Sequence, residues 1–296
     1  MKTKFFIYSL FLVSFTTFFS CAEDDLEKES IFVDSEITKN ELDLYIEKNY
    51  TEPYNIGLIY KYVDGESDMN YNLSPASYES SLRMTVLFKY LGIEPYDKIT
   101  GSTDFIRAYF PKVLSYIGSP AYRNNGTMVL GTAEGGRKIT MYNLNDLVNV
   151  EDDDIDFLNY YYFHTIHHEF AHILNQTRDF PKSFDAITGS GYVADSWNTE
   201  YDNSTSLADG FISAYASKEA SEDFVEVYSY YITTDPELWD SALEEAGEKG
   251  SAIIEAKLEI VRSYFLSAWG IDLDVLRTEI LTRQDNLVNI DQTSLN

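Results

Sequence analysis

FHTIHHEFAHILNQ, residues 163–176, holds all four histidines of a 296-residue chain, at positions 164, 167, 168 and 172. Phe163, Ile166, Phe170, Ala171, Ile173 and Leu174 make the stretch apolar enough for a buried helix, part of a longer one predicted from about Ile155 to Asn175. Residues four apart on a helix share a face, about 6 Å from one another. His168 and His172 therefore aim their imidazoles at one point, and a buried histidine pair needs partners for its ring nitrogens. The string His168-Glu169-Phe170-Ala171-His172 has the spacing with which two imidazoles hold Zn²⁺ at ~2.0–2.1 Å.

Glu169, next along the helix, is the expected general base, because a zinc ion lowers the pKa of water toward ~7 and polarises a carbonyl while a neighbouring carboxylate takes the proton. His164 lies on the same face one turn earlier. Eight residues of helix rise ~12 Å, so His164 and His172 cannot share one ion. His164 and His167 are expected to be buried, hydrogen-bonded or packing residues. A catalytic zinc takes three protein ligands. No histidine follows residue 172 and the one cysteine is Cys21, which leaves a carboxylate or a rarer oxygen donor as the third.

The best source of that carboxylate is Glu222-Asp223-Phe224-Val225-Glu226. Glu222 and Glu226 are again four apart, while Phe224, Val227, Tyr228 and Tyr231 supply a packing face. Carboxylates in an apolar helix are costly unless a cation meets them, and zinc is such a cation. Glu222 is the expected metal ligand; Glu226, one turn on, would accept a hydrogen bond from a ligand histidine and fix its tautomer. Glu219 and Asp223 are expected to point away into solvent.

An apolar content of 44% with 15% aromatics can bury a substantial core. The formal charge of −27 excludes nucleic acid as a partner and electrostatic binding to anionic lipid, both of which need a basic surface. Met1-Lys2-Thr3-Lys4 and the run FFIYSLFLVSFTTFFS precede Cys21. Sixteen residues fall short of the ~20 of a membrane span, so residues 1–20 read as a lipoprotein signal peptide, with Cys21 as the lipidation site and only membrane attachment. Residues 21–35 read as an acidic flexible tether. A single cysteine rules out an internal disulfide and a cysteine-rich zinc site.

Residues 36–296 are expected to form one catalytic domain, with an upper lobe over about 36–176 and a mostly helical lower lobe over about 177–296. Its pattern is α+β. A helix is predicted near 37–49, a strand over 55–63, a helix over 75–91 stopped by Gly92, and a short helix at 103–110. TMVLGTA and RKITMYNL, separated by Glu134-Gly135-Gly136, predict a β-hairpin. The acidic run 151–154 favours the start of the histidine helix. Residues 176–216 are loop-rich, and helices follow over 217–232, 237–247, 249–269 and 273–285.

Tyr215-x6-Glu222-x-Phe-x-Glu226, downstream of His-Glu-Phe-x-His, resembles the lethal-factor type of gluzincin. That resemblance implies a zincin-like fold with a small mixed sheet, zinc ligation by His168, His172 and Glu222, and a Tyr215 phenol that stabilises the oxyanion. NIGLIYKY, GTAEGGRKITMYN, HHEFAHILNQT, FPKSFDAITGSGYV, GFISAYAS and EDFVEVYSYYI resemble more closely the zinc metallopeptidase lipoproteins of Bacteroidetes called substrate import-associated zinc metallohydrolases. What this implies is one Zn²⁺ per chain, a peptide or protein substrate, and an outer-membrane lipoprotein at the cell surface beside a TonB-dependent nutrient import system. By the same analogy, Lys138–Asn143 would be the sheet edge that pairs with an extended substrate. The competing readings are a zinc hydrolase of another amide and a non-catalytic nutrient-binding lipoprotein on a zincin scaffold.

Overall fold

The computed structural model describes residues 38–124, 126–134 and 136–295. The expected signal peptide, the expected lipidation site Cys21 and the expected acidic tether lie outside the described residues. From Lys39 onward the chain forms one compact unit. No helix among the described residues is long and apolar enough to cross a membrane.

Among the described residues, six strands form two sheets. β1 (Gly57–Ile59), β2 (Val113–Tyr116), β6 (Lys138–Met141) and β5 (Gly131–Glu134) lie in the order β1-β2-β6-β5, while β3 (Ala121–Tyr122) and β4 (Met128–Val129) pair as a separate small ribbon. β1 and β6 run parallel to β2, and β5 closes back on β6 as an antiparallel hairpin with Gly131 opposite Met141 and Glu134 opposite Lys138. Gly136 in the turn takes φ +69°, the left-handed backbone that glycine accepts without a Cβ clash. TMVLGTA, predicted as one strand, is split between β4 and β5.

β1 is shorter than predicted because the segment beyond Ile59 is held by side chains instead of a ladder. Tyr60 donates its hydroxyl to Asp43 (2.8 Å) and Tyr62 bonds the Ser67 hydroxyl. The expectation that Lys138–Asn143 forms the open edge is corrected by the topology. β6 hydrogen-bonds on both sides, to β2 and to β5, so its backbone has no free edge. β5 is the edge strand next to the histidine helix.

The α-helices of four or more residues among the described residues are α1 (Glu41–Ile46), α2 (Tyr78–Leu87), α3 (Glu94–Thr100), α4 (Asp104–Tyr109), α5 (Ile155–Leu158), α6 (His164–Thr177), α7 (Asp185–Thr188), α8 (Trp197–Glu200), α9 (Asn203–Ala208), α10 (Ala220–Thr233), α11 (Pro236–Tyr264) and α12 (Leu273–Asp285). Ser77 caps α2 by accepting from the Ser80 amide, a bond typical of serine at a helix start. Asp154, last of the acidic run, caps α5 through the Phe157 amide. Gly92 does not stop its helix. The chain passes through it in a π turn, Phe88–Ile93, where a Cβ at Gly92 would lie 3.1 Å from the Phe88 ring. A second π turn, Asn159–Phe163, joins α5 to α6 immediately before His164; such turns are frequent at functional sites. Gly247, with φ +67°, breaks α11 into two helical stretches where the sequence places a boundary.

α10 packs along α6 and is covered on its other sides by α11 and α12. The contact is aromatic: Phe224 stacks on Phe180 with centroids 4.7 Å apart, and Tyr228 stacks on Phe265 at 4.2 Å. The Tyr96 hydroxyl bridges His167 Nδ1 and the Tyr228 hydroxyl, both at 2.7 Å, tying α3 to α6 and α10. His167 is buried there, and burial, with the nearby His164, pushes its pKa down to about 3. It is a neutral core residue on the face opposite the paired histidines.

The enclosure of α10 also corrects the expectation for Asp223. Its side chain is fully buried, paired with Lys257 of α11 at 2.6 Å and accepting from the Tyr192 hydroxyl at 2.9 Å. Lys257 in turn donates to the Gly210 carbonyl and lies over the Phe211 ring. A charge on the second face of a surface helix would be solvated, whereas on a helix wrapped by three others it must be paired. The pair fastens the loop from Tyr192 to Phe211 onto α10 and α11.

Candidate metal centre

α6 and α10 meet with the two histidines facing the first glutamate. His172 Nε2 lies 3.0 Å and His168 Nε2 3.2 Å from Glu222 Oε2, and the donor atoms of the three residues all fall within 4.8 Å of one another. Three donors placed tetrahedrally around a zinc ion at ~2.0–2.2 Å are about 3.3 Å apart, so a small inward or outward adjustment suffices to admit the ion.

The other faces of these residues are also held. His168 Nδ1 is 2.7 Å from Glu226 Oε1, so Nδ1–H donates to that carboxylate and Nε2 is the ring nitrogen turned toward Glu222 and His172. His164 Nε2 reaches the same oxygen at 2.9 Å, and the Ser213 hydroxyl donates to Glu226 Oε2. Ser213 lies two residues before Tyr215 and has no local spacing rule that would mark it.

Charge balance supports a cation here. Glu222 and Glu226 are buried, which alone would raise their pKa values, yet their histidine partners hold both carboxyls well below the usual range. Burial opposes a charge on His168, but Glu222 and Glu226 outweigh it and lift that imidazole to about 10. Two buried carboxylates thus compete for positive charge that a divalent ion supplies with better geometry than shared protons.

A second donor group, His164, His168 and Glu226, also falls within metal-binding distance. It uses His168 Nδ1 and would strip Glu226 of its role as hydrogen-bond acceptor, leaving His172 and Glu222 facing each other without a shared cation. The first group uses every partner at once, with Glu226 orienting His168 from behind, the arrangement in which metal-bound histidines are held by a carboxylate.

Tyr215 sits in the short 3₁₀ turn Tyr215–Ser217 just before α10, and its hydroxyl donates to Glu222 Oε1 at 2.8 Å. Burial, then the Glu222 charge, pushes its phenol above the ordinary tyrosine range, so it remains a donor. Lys218 places its ammonium 2.8 Å from the same Glu222 oxygen and 5.3 Å from the Tyr215 ring centroid. Glu222 is therefore divided: Oε1 is taken by Tyr215 and Lys218, and Oε2 is left to the histidines. Sequence reading missed Lys218, although the Lys218/Glu222 spacing of four residues could have shown it. Glu219, four residues from Tyr215, has its side chain 58% exposed and 3.8 Å from Lys218, as expected of a solvated group.

Glu169 and Tyr215 line a cleft of about 670 Å³ beside the histidines. Its lining includes the β4–β5 segment Met128–Gly131 together with Tyr160, Tyr230 and Leu238. Arg123 is the only Lys or Arg among the described lining residues. β5 approaches α6 closely because residue 131 is glycine: a Cβ there would lie 2.6 Å from Thr165 Cγ2. The hairpin tip stays on the helix, where a Cβ at Gly136 would lie 3.0 Å from Gln176 Oε1. The hairpin thus meets α6 at Thr165 through β5 and at Gln176 through its turn.

A helix-dominated α+β fold with a small sheet here brings two imidazoles and a carboxylate to one point, the donor set of a catalytic zinc site. Comparison with known proteins gives the chain its family. Residues 35–274 match the family described as "Putative zinc-binding metallo-peptidase", and the chain belongs to that family. A crystal structure of a protein from Bacteroides caccae, titled as a "putative zinc-binding metallo-peptidase", is 38% identical, superposes with a TM-score of 0.76, and covers 90% of this chain and 100% of its own. The α+β fold class read from the sequence is borne out by that match. No curated protein is significantly similar.

Proposed function

We propose that the protein is a zinc-dependent metallopeptidase of the His-Glu-x-x-His type, with His168, His172 and Glu222 as ligands of one Zn²⁺ per chain. The observation that carries this reading is the placement of Glu222 Oε2 at 3.0–3.2 Å from both Nε2 atoms, next to a cleft lined by an additional carboxylate, Glu169. When bound, the zinc supplies a Lewis acid for the substrate carbonyl and makes water nucleophilic near neutral pH.

The chain's own residues do the rest. Glu169 accepts the proton of the attacking water and returns it to the leaving amine. The Tyr215 hydroxyl, which rests on Glu222, turns to donate a hydrogen bond to the carbonyl oxygen as negative charge develops there. Glu226 holds His168 in the tautomer that keeps Nε2 free. The free edge of β5 offers backbone groups with which an extended peptide pairs. Lys218 keeps Glu222 Oε1 engaged once Tyr215 has left it.

Residues 1–35 and the resemblance to import-associated lipoproteins support a further proposal: anchorage through a lipidated Cys21 to the outer membrane, exposed at the cell surface, with a TonB-dependent nutrient transporter as neighbour. Radiolabelled palmitate incorporation that depends on Cys21 is the expected result, and its absence would remove the anchor.

The activity is tested with mature protein, elemental analysis and a peptide library. About one zinc per chain and cleavage that stops on chelation and returns on adding zinc are expected. Zinc without any cleavage would favour the non-catalytic binding lipoprotein instead, and absence of zinc would remove the mechanism. Tyr215→Phe is expected to lower kcat about 10²–10³-fold, the usual loss of an oxyanion donor, with zinc content unchanged. Unaltered turnover would return Tyr215 to a packing role against Trp197 and His168.

A further inference from the structure

The cleft beside the metal centre carries two carboxylates, Glu169 and Glu226, and among its described lining residues one base, Arg123. Arg83, Arg107, Arg178, Arg262, Arg277 and Arg283 each donate to a carbonyl or carboxylate oxygen of the fold. Arg123 is exposed, and neither an ion pair nor a side-chain hydrogen bond joins it to another described residue. Its five N–H donors are therefore open to a ligand. Its charge reaches the reacting end of the cleft, where it offsets part of the rise that burial and Glu222 impose on the Tyr215 phenol.

The backbone beneath this side chain is fixed. β3 and β4 pair Ala121 with Val129 and Tyr122 with Met128, and the Arg123 amide extends the ladder to the Thr127 carbonyl at 2.9 Å. The Gly126 amide returns to the Arg123 carbonyl at 2.9 Å, with Gly126 at φ +84°, a backbone that glycine accepts without strain. Ala121 and Val129 are buried with Ile117 and Tyr142 in a small core of their own. Ile117 follows β2 and Tyr142 follows β6, so the ribbon is fastened to the main sheet. A side chain without partners on an anchored turn has the form of a recognition group.

The chemistry it recognises is narrow. A planar guanidinium matches a carboxylate through two parallel N–H···O bonds. The net charge of −27 repels anions from the surface at large, and Glu169 and Glu226 repel them inside the cleft. A neutral substrate gains nothing from Arg123, whereas an anionic one needs it. Charges act across about 8–10 Å at ordinary ionic strength, and extended chain advances ~3.3 Å per residue. A carboxylate on Arg123 therefore sits within about three residues of the bond presented to Tyr215.

We propose that Arg123 sets specificity by pairing with a carboxylate of the substrate, on an acidic side chain or at a free C-terminus, within about three residues of the scissile bond. The proposal rests on the peptidase reading of the metal centre and names the substrate class for it, acidic peptides.

The test uses zinc-loaded wild type, Arg123→Ala and Arg123→Glu. The peptide that wild type cleaves best from a randomised library is remade in matched pairs: Glu against Gln at each position around the scissile bond, and a free C-terminal acid against its amide. The ratio of kcat/KM within each pair is the readout. Wild type is expected to favour the carboxylate about tenfold in one pair, the scale of a hydrogen bond to a charged group. A preference at an internal position identifies an acidic side chain as the partner, and one confined to the terminus identifies the terminal carboxylate. Arg123→Ala is expected to bring that ratio to about one and Arg123→Glu to invert it, with zinc content and Tm unchanged because the side chain has no partner in the fold. A wild-type ratio near one in every pair, or a preference that Arg123→Ala keeps, would overturn the assignment. Should wild type cleave no peptide, the peptidase reading fails by itself. Arg123 is then read from retention of library peptides, as free acids and with their carboxyls amidated, on immobilised Glu169→Gln protein. Carboxylate-dependent retention that disappears on adding Arg123→Ala supports the assignment, and retention without such dependence, or none, overturns it.

Discussion

Glu169→Gln is expected to retain one zinc per chain and to lose hydrolysis, with kcat/KM falling by about 10²–10⁴, the range a positioned general base contributes. The substitution preserves size and hydrogen-bonding reach but removes the ability to accept a proton. Glu169 lines the cleft and is not among the three converging donors, which is why metal content and turnover separate. Elemental analysis beside steady-state kinetics on the best library peptide measures both. Full turnover in the variant would put the base elsewhere, and loss of zinc would make Glu169 part of the coordination.

Glu222→Ala is expected to have the second large effect, on the metal itself. It removes the oxygen that both Nε2 atoms face and strands Tyr215 and Lys218, which share the other oxygen. Zinc affinity, read by competition with a fluorescent chelator, is expected to fall by more than the ~10²-fold that loss of an outer hydrogen-bond partner costs. Glu219→Ala, three residues earlier and solvated, is expected to leave affinity within about twofold, the scale of an exposed ion pair. Equal losses would shift the third ligand away from Glu222. His164→Ala serves as the control for the alternative donor group, since only there would it match Glu222→Ala.

Much of this arrangement was legible from spacing. His168 and His172, like Glu222 and Glu226, are four apart on helices whose apolar residues mark them as buried, and α-helical geometry alone places each pair on one face. The β5–β6 hairpin was equally readable from two glycines between short apolar runs. The helix boundary near Gly247 followed from local backbone preference. Gly92 misled because glycine serves close packing as readily as termination, and only the Phe88 ring beside it tells which.

The remaining features depend on segments far apart in the chain. Asp223 reads as solvated until Lys257, 34 positions later, is brought against it. Lys138–Asn143 reads as an edge until β2 and β5 take its two sides. Ser213 on Glu226 has no periodic signature.

The sequence by itself determined the donor types and their pairing, because covalent spacing on a helix fixes which side chains lie within about 6 Å. Only the tertiary structure decided which carboxylate oxygen meets both imidazoles, which strand is left with a free edge, and which buried polar groups are paired. Those outcomes depend on the packing of α6, α10 and the sheet against one another, and contacts between distant segments leave no periodic trace in the chain.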